Sequence, residues 1–269
     1  MSASADHLAL LELATGIAAE AAALISRFAA AGFDVGTKSN PVDMVTGADH
    51  AAEALIQRRI LEARPHDGLL GEEGASRPGT SGVRWVFDPL DGTTNFVYGI
   101  AAYSVSIAVE VDGAVIAGVV HDVVHGQVFA AALGQGAFLD GVPIRVNGST
   151  RDLETALFAT GFSYDPSRRA TQAAILTRVL PHIRDIRRHG SAALDLCRVA
   201  CGQVDGYFEY RLNPWDIAAG GLIVREAGGQ TRGFGGYAFT DGYVLACSPA
   251  LMPAASRLID DAAAPHLPL

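Results

Sequence analysis

The chain has 269 residues, of which 49% are hydrophobic and 18% charged, with a formal net charge of -9. That size and apolar share exclude a disordered chain and allow one or two packed domains. The acidic balance argues against a nucleic-acid binder, which carries a basic face. Three cysteines, Cys197, Cys201 and Cys247, match no disulfide or zinc framework, so a reducing, cytoplasmic compartment is expected.

Apolar positions at helical spacing predict a first helix over residues 6–31, ending near Gly32. Its Ala-rich run is interrupted by Glu12, Glu20 and Arg27 and has no positive leader, so it reads as a packed helix and not as a signal peptide or membrane span. Residues 35–41 are polar and turn-rich, a loop or hairpin in which Lys38 is either solvated or functional. Thr46-Gly-Ala-Asp49 has the form of a capping box, and the helix it starts runs through Leu55, Ile56 and Ile60 and stops before Pro65. Gly68-Leu-Leu-Gly-Glu72-Glu73 reads as a short buried strand. If the strand continues through both acids, they point to opposite faces and at most one reaches a common site. Residues 74–82 form a solvent loop.

The organising stretch is Trp85-Val86-Phe87-Asp88-Pro89-Leu90-Asp91-Gly92-Thr93-Thr94-Asn95-Phe96. It opens as a buried strand, turns at Gly92 and starts a short helix at Thr93. Carboxylates at a strand end suit a hard divalent cation, and the free N–H groups of a helix start suit a phosphate. Taken alone, Asp88 and Asp91 read first as ordinary turn residues after a strand. An antiparallel meander follows, with hairpin signals at Asp112-Gly113, His125-Gly126 and Asp140-Gly141. His121 and His125 have helical zinc spacing, but the Val and Gly around them indicate strand and turn.

Near residue 148 the pattern changes to β/α alternation, dividing the chain into an α+β half (1–147) and an α/β half (148–269) that meet at one site. A strand is predicted over 156–160 and a helix over 168–180, followed by a basic stretch over 184–188 and a helix over 191–201 capped by Ser191. A strand over 205–211 leads to Asn213-Pro214, an N-cap with Pro at the first helical position. Asp216 then lies in the first turn, where the helix dipole favours an acid whatever its function. A last strand covers 244–247 and a last helix 249–263.

Asp88-Pro-Leu-Asp-Gly-Thr-Thr-Asn-Phe resembles the first signature of the inositol monophosphatase family, and the segment 215–229, beginning Trp215-Asp216, resembles its second. Gly71-Glu72-Glu73 and the segment 38–49 match in order, so the likeness covers about residues 14–255. It implies a layered αβαβα sandwich and a lithium-sensitive phosphatase that uses two or three Mg²⁺ ions and forms a homodimer. In that likeness Glu72, Asp88 and the Leu90 carbonyl hold the first cation, and Asp88, Asp91 and Asp216 the second; a third, weaker one leans on Glu72 and water. Thr93 and Asp49 relay a proton from the attacking water, and the backbone N–H groups of Gly92 and Thr93 hold the phosphate. Gly190, Ser191, Ala192 and Glu209 contact a small phosphorylated polyol, as do Asp91 and Asp216.

The resemblance implies that the loop carrying Lys38 closes over the metals, while Arg187, Arg188 and Arg211 are expected either to add charge to the pocket or to form surface ion pairs. Glu209 and Arg211, two apart on a strand, are expected to share a face. The implied reaction is hydrolysis of myo-inositol 1-phosphate by direct attack of metal-bound water. Relatives act on fructose 1,6-bisphosphate, histidinol phosphate or 3′-phosphoadenosine nucleotides, and Thr94-Asn95 leans toward the inositol type. A non-catalytic binding module is the alternative from another class. No nucleic-acid or membrane partner is expected.

Overall fold

The computed structural model describes residues 3–32, 34–37 and 44–267; Lys38 lies outside them. Helix α1 (Ala3–Ala31) forms where the periodicity places it. By length and composition it could cross a membrane, but Ala14, Ile17, Ala18, Ala21 and Ile25 pack into a core. Those positions recur every three or four residues, the stripe of a helix lying on a sheet. A hairpin of β1 (Val35–Thr37) and β2 (Met44–Thr46) leads into α2 (Gly47–Ala63).

Eight strands make the first sheet: β3 (Gly68–Gly71), β4 (Ser76–Arg77), β5 (Val83–Asp91), β6 (Ser104–Val111), β7 (Ala114–Asp122), β8 (Gln127–Ala132), β9 (Ala137–Leu139) and β10 (Val142–Ile144). Their order is β10-β9-β8-β7-β6-β5-β3-β4. The meander from β5 to β10 is antiparallel, and β3 runs parallel to β5. The short helix α3 (Thr93–Tyr98) links β5 to β6.

The second sheet holds β11 (Leu157–Thr160), β12 (Asp185–Arg187), β13 (Gly206–Tyr210), β14 (Gln230–Arg232) and β15 (Tyr243–Cys247) in the order β12-β11-β13-β15-β14. Between these strands lie α4 (Pro166–Val179), α5 (Ala192–Ala200) and α6 (Pro214–Glu226), and α7 (Met252–Ala263) follows β15. Helices α1 and α2 cover one face of the first sheet, α5 and α6 fill the space between the sheets, and α4 and α7 cover the outer side of the second. This is the expected αβαβα sandwich.

Strand alternation assigns each side chain to a layer. On β5, Trp85 and Phe87 enter the core under α1 and α2, while Val86 enters the middle core. Burying each such large apolar side chain is worth about 1.5–3 kcal/mol. Asp88 therefore faces the middle layer. On β13, Tyr207 faces the middle core, whereas Phe208 and Tyr210 face the outer one. Glu209 shares the side of Tyr207, toward the starts of α5 and α6.

Several expectations need correction. The strand at 68–73 ends at Gly71, so both acids lie beyond it. The loop at 74–82 contains the edge strand β4, and the basic stretch at 184–188 contains β12. The strand at 205–211 ends at Tyr210, because Arg211 takes a left-handed backbone (φ 67°). Its guanidinium lies over the Tyr243 ring, 5.8 Å from the centroid, so it does not share the face of Glu209.

Candidate active site

The site begins where β5 stops being regular. Its pairing with β6 holds as far as Asp88 opposite Ser106 and resumes only at Asp91 opposite Ser104. Pro89 cannot donate to the ladder, and a bulge of this kind re-aims the side chains around it. Asp88 Oδ1 accepts the Leu90 N–H at 2.9 Å, and the Leu90 side chain is fully buried in the α1/α2 core. Gly92 then turns the chain with φ 100°; a Cβ there would lie 2.9 Å from the Ala102 carbonyl oxygen, so the turn requires glycine.

Thr93 opens α3, and its hydroxyl reaches Asp49 Oδ1 at 2.9 Å and the Leu90 carbonyl at 3.1 Å. Asp49 is fully buried. Its other oxygen, Oδ2, accepts the Thr46 N–H at 2.8 Å and the Thr46 hydroxyl at 2.6 Å, completing the capping box of α2. The two expected roles of Asp49 therefore use different oxygens.

The second sheet's helices supply the opposite wall. Asp91 Oδ2 accepts from the Ser191 hydroxyl at 2.6 Å and the Ala193 N–H at 2.8 Å. Ser191 Oγ in turn accepts from Leu194 N–H and caps α5. Asp216 Oδ2 accepts the Asn213 N–H at 2.6 Å as the third residue of α6. Glu72 follows the end of β3. These four acids line one cavity of about 710 Å³, together with Gly92, Thr93, Gly190, Ala192 and Glu209. Asp49 stands behind Thr93 and off the cavity wall.

Burial first, and then the charges of Glu72, Asp91 and Asp216, push the Asp88 carboxyl well above the ordinary carboxylate range. Asp216 moves the same way through burial and the charges of Glu72 and Asp91. Burial raises Asp91 to about 6, against the hydrogen bonds from Ser191 and Ala193, while Glu72 and Asp195 add to the rise. Such a cluster is electrostatically incomplete without positive charge. Its donors are all oxygen, the chemistry of a hard cation such as Mg²⁺. The hydrogen bonds that fix Asp88, Asp91 and Asp216 to the fold use one oxygen of each. Among the described residues no three such groups already stand at metal-ligating geometry. The residue types fit a cation, and drawing them together around one calls for side-chain adjustment.

Glu209 accepts from the Tyr207 hydroxyl through Oε2 at 2.6 Å. Burial raises its carboxyl to about 7, with Tyr207 and Arg188 pulling the other way and Asp195 and Asp91 adding to the rise. Arg188 and Arg211 line the cavity, but Arg187 does not. Its guanidinium donates to Asp185 Oδ2 at 2.6 Å and to the Ile186 carbonyl on the exposed edge strand, as a surface ion pair. Sequence reasoning passed over Asp195, and it read Asn95 only as part of the motif and not for the contacts it makes. Asp195 lines the cavity and is held by His189 Nδ1 at 2.5 Å and Arg198 Nη1 at 3.0 Å; its place four residues after Ser191, on the same helix face, was the available signal. Asn95 Nδ2 donates to the carbonyls of Ala102 and His189, both at 2.7 Å, and so ties α3 to the turn before α5.

The model of the inositol monophosphatase family matches residues 6–264. Inositol-1-monophosphatase of Mycobacterium leprae (strain TN) is 50% identical over 208 residues, covering 74% of this chain and 72% of the relative. Nus factor SuhB of Escherichia coli (strain K12) is 45% identical over 218 residues, covering 79% of this chain and 80% of the relative. The crystal structure of extragenic suppressor protein suhB from Bartonella henselae superposes with a TM-score of 0.87 at 36% identity, over 93% of this chain and 98% of the other. With this fold and this cavity, the chain belongs to the inositol monophosphatase family and is a phosphate-monoester hydrolase.

Proposed function

We propose that the enzyme is Mg²⁺-dependent and hydrolyses a small phosphorylated polyol, myo-inositol 1-phosphate, to inositol and phosphate. The observation that carries this reading is the convergence of Glu72, Asp88, Asp91 and Asp216 on one cavity beside Thr93 and Glu209. The chemistry of the donor set supports Glu72, Asp88 and the Leu90 carbonyl as one cation site, and Asp88, Asp91 and Asp216 as the other. Cations bound there supply charge to the phosphate oxygens and acidify water.

The chain's own residues do the rest. Thr93 Oγ1 takes a proton from the attacking water while its own proton passes to Asp49 Oδ1, 2.9 Å away. A P–O bond forms to the water oxygen, the ester P–O bond breaks, and the leaving alkoxide takes a proton from solvent water, while the proton on Asp49 returns through Thr93 to solvent. The Gly92 and Thr93 N–H groups orient the phosphate. Gly190, Ser191 and Ala192 wall the polyol, and Glu209, oriented by Tyr207, accepts from its hydroxyls. The free cysteines fit a reducing, cytoplasmic setting. A homodimer and inhibition by lithium accompany this reading.

The test is kcat/KM for myo-inositol 1-phosphate, fructose 1,6-bisphosphate, histidinol phosphate, a 3′-phosphoadenosine nucleotide and a simple alkyl phosphate. Myo-inositol 1-phosphate is expected to lead, and Glu209→Gln to raise its KM far more than that of the alkyl phosphate. Equal losses on every substrate would remove Glu209 from recognition, and another substrate in the lead would replace the inositol assignment.

A further inference from the structure

Helix α2 presents a second buried acid, Glu53, one turn after Asp49 and on the same face. Glu53 is 7% exposed. Both of its oxygens are committed to a single turn, the one that follows β3. Oε2 accepts the Glu73 N–H at 2.8 Å, and Oε1 accepts the Ala75 N–H at 2.9 Å. The turn is closed by Gly71 N–H donating to the Ala75 carbonyl at 2.6 Å. Glu72 lies inside it. The approach is close enough to require glycine at 71, where a Cβ would lie 2.5 Å from Glu53 Oε2 and 2.7 Å from Phe87 Cε2. Among the described residues no arginine forms a salt bridge with Glu53, and both of its oxygens accept from backbone N–H groups. Burying a carboxylate on such terms is unfavourable unless those bonds are made well. Here they order the backbone on both sides of Glu72.

We propose that Glu53 is a positioning residue that presets Glu72 for cation binding. Helix α2 then steadies two arms of the site from one face, with Asp49 behind Thr93 and Glu53 behind Glu72. The proposal rests on the reading of the acid cluster as a Mg²⁺ site.

The test uses the full-length protein, Mg²⁺ titration calorimetry and amide hydrogen exchange. Glu53→Gln keeps the volume but turns one acceptor into an NH₂ group that faces a backbone N–H. It is expected to weaken Mg²⁺ binding about 10–100-fold, the range for residues that orient a metal ligand. Amide exchange at Glu73 and Ala75 is expected to accelerate, and kcat at saturating Mg²⁺ to stay within about threefold of wild type, because the ligands themselves are intact. Ile60→Val, a buried change on the same helix, is expected to lower Tm and leave Mg²⁺ affinity unchanged. If the Gln variant does not fold, Glu53→Asp, with both acceptors one methylene further back, is read by the same measurements. Wild-type Mg²⁺ affinity in a folded Glu53 variant overturns the proposal alone. Absence of Mg²⁺ binding by the wild type overturns the reading of the cluster and this proposal with it.

Discussion

Asp49 gives one oxygen to Thr46 at the start of α2 and the other to Thr93, and Asp49→Asn separates the cap from the proposed relay. The variant keeps one oxygen. If it turned that oxygen to Thr93, its NH₂ would face the Thr46 N–H, so the stable orientation puts the oxygen on Thr46 and Nδ2 on Thr93. The Thr93 hydroxyl then accepts from Nδ2 and gives its proton to the Leu90 carbonyl, 3.1 Å away. The helix cap survives, so the stability loss should be less than the about 0.5–2 kcal/mol that losing a cap costs. Proton uptake does not survive. The rate should fall on the order of 10²–10⁴-fold, which corresponds to about 2.7–5.4 kcal/mol of barrier. Thr93→Ala should fall in the same range, and the double variant should be little worse than the poorer single, as for residues that act as one unit. Asp49→Ala should match the rate loss of Asp49→Asn while also losing the bonds that Thr46 donates to Oδ2, so its Tm should be visibly lower. The assays are initial rates of phosphate release at saturating Mg²⁺ and thermal denaturation of each variant. Losses that multiply in the double variant would refute the relay and leave Asp49 as a cap.

The acid cluster should also make stability depend on pH and metal together. Asp88, Asp91 and Asp216 have raised carboxyls in the folded state, Asp91 to about 6, so the native chain holds more protons than the unfolded one from about pH 4 upward. Metal-free protein should therefore lose stability as pH rises through about 4 to 6, and Mg²⁺ should raise Tm more at neutral than at acid pH; an equal rise at both would contradict the assignment. Arg188→Ala should raise KM for fructose 1,6-bisphosphate about tenfold, the worth of a charged hydrogen bond, with less effect on inositol 1-phosphate. Arg187→Ala, whose guanidinium is occupied by Asp185, should change neither KM, and steady-state kinetics on both variants checks the contrast.

What the sequence made legible were features with local causes. The capping box at Thr46/Asp49 and the helix start at Asn213-Pro214 formed as read, because an N-cap and the residues of the first turn find each other locally. The strand, glycine turn and helix from Val83 to Tyr98 likewise follow from nearby residues. Misplaced features depended on distant partners or on single backbone angles. The strands β12 and β14 have three residues each, too short to show a period, and exist through pairing with β11 and β15. Arg211 left the alternation of β13 through one positive φ at a non-glycine residue, which no composition rule flags. Glu53 looks like any helical acid until the turn at 73–75 is folded against it. Asp195 was hidden for the same reason, since His189 and Arg198 show its burial only once the helix is docked.

The central claim is that this acid-lined cavity is a metal-dependent phosphate-ester site. Phosphate release from myo-inositol 1-phosphate, measured with Mg²⁺ and with excess chelator on the wild type and on Asp91→Asn, tests it most directly. The amide oxygen left by Asp91→Asn can still accept from Ser191 and Ala193, so this variant should fold with a Tm close to wild type. The account predicts turnover only for the wild type with Mg²⁺, and loss of turnover both in chelator and in the folded variant. Full activity in chelator, or undiminished activity of Asp91→Asn, would contradict it.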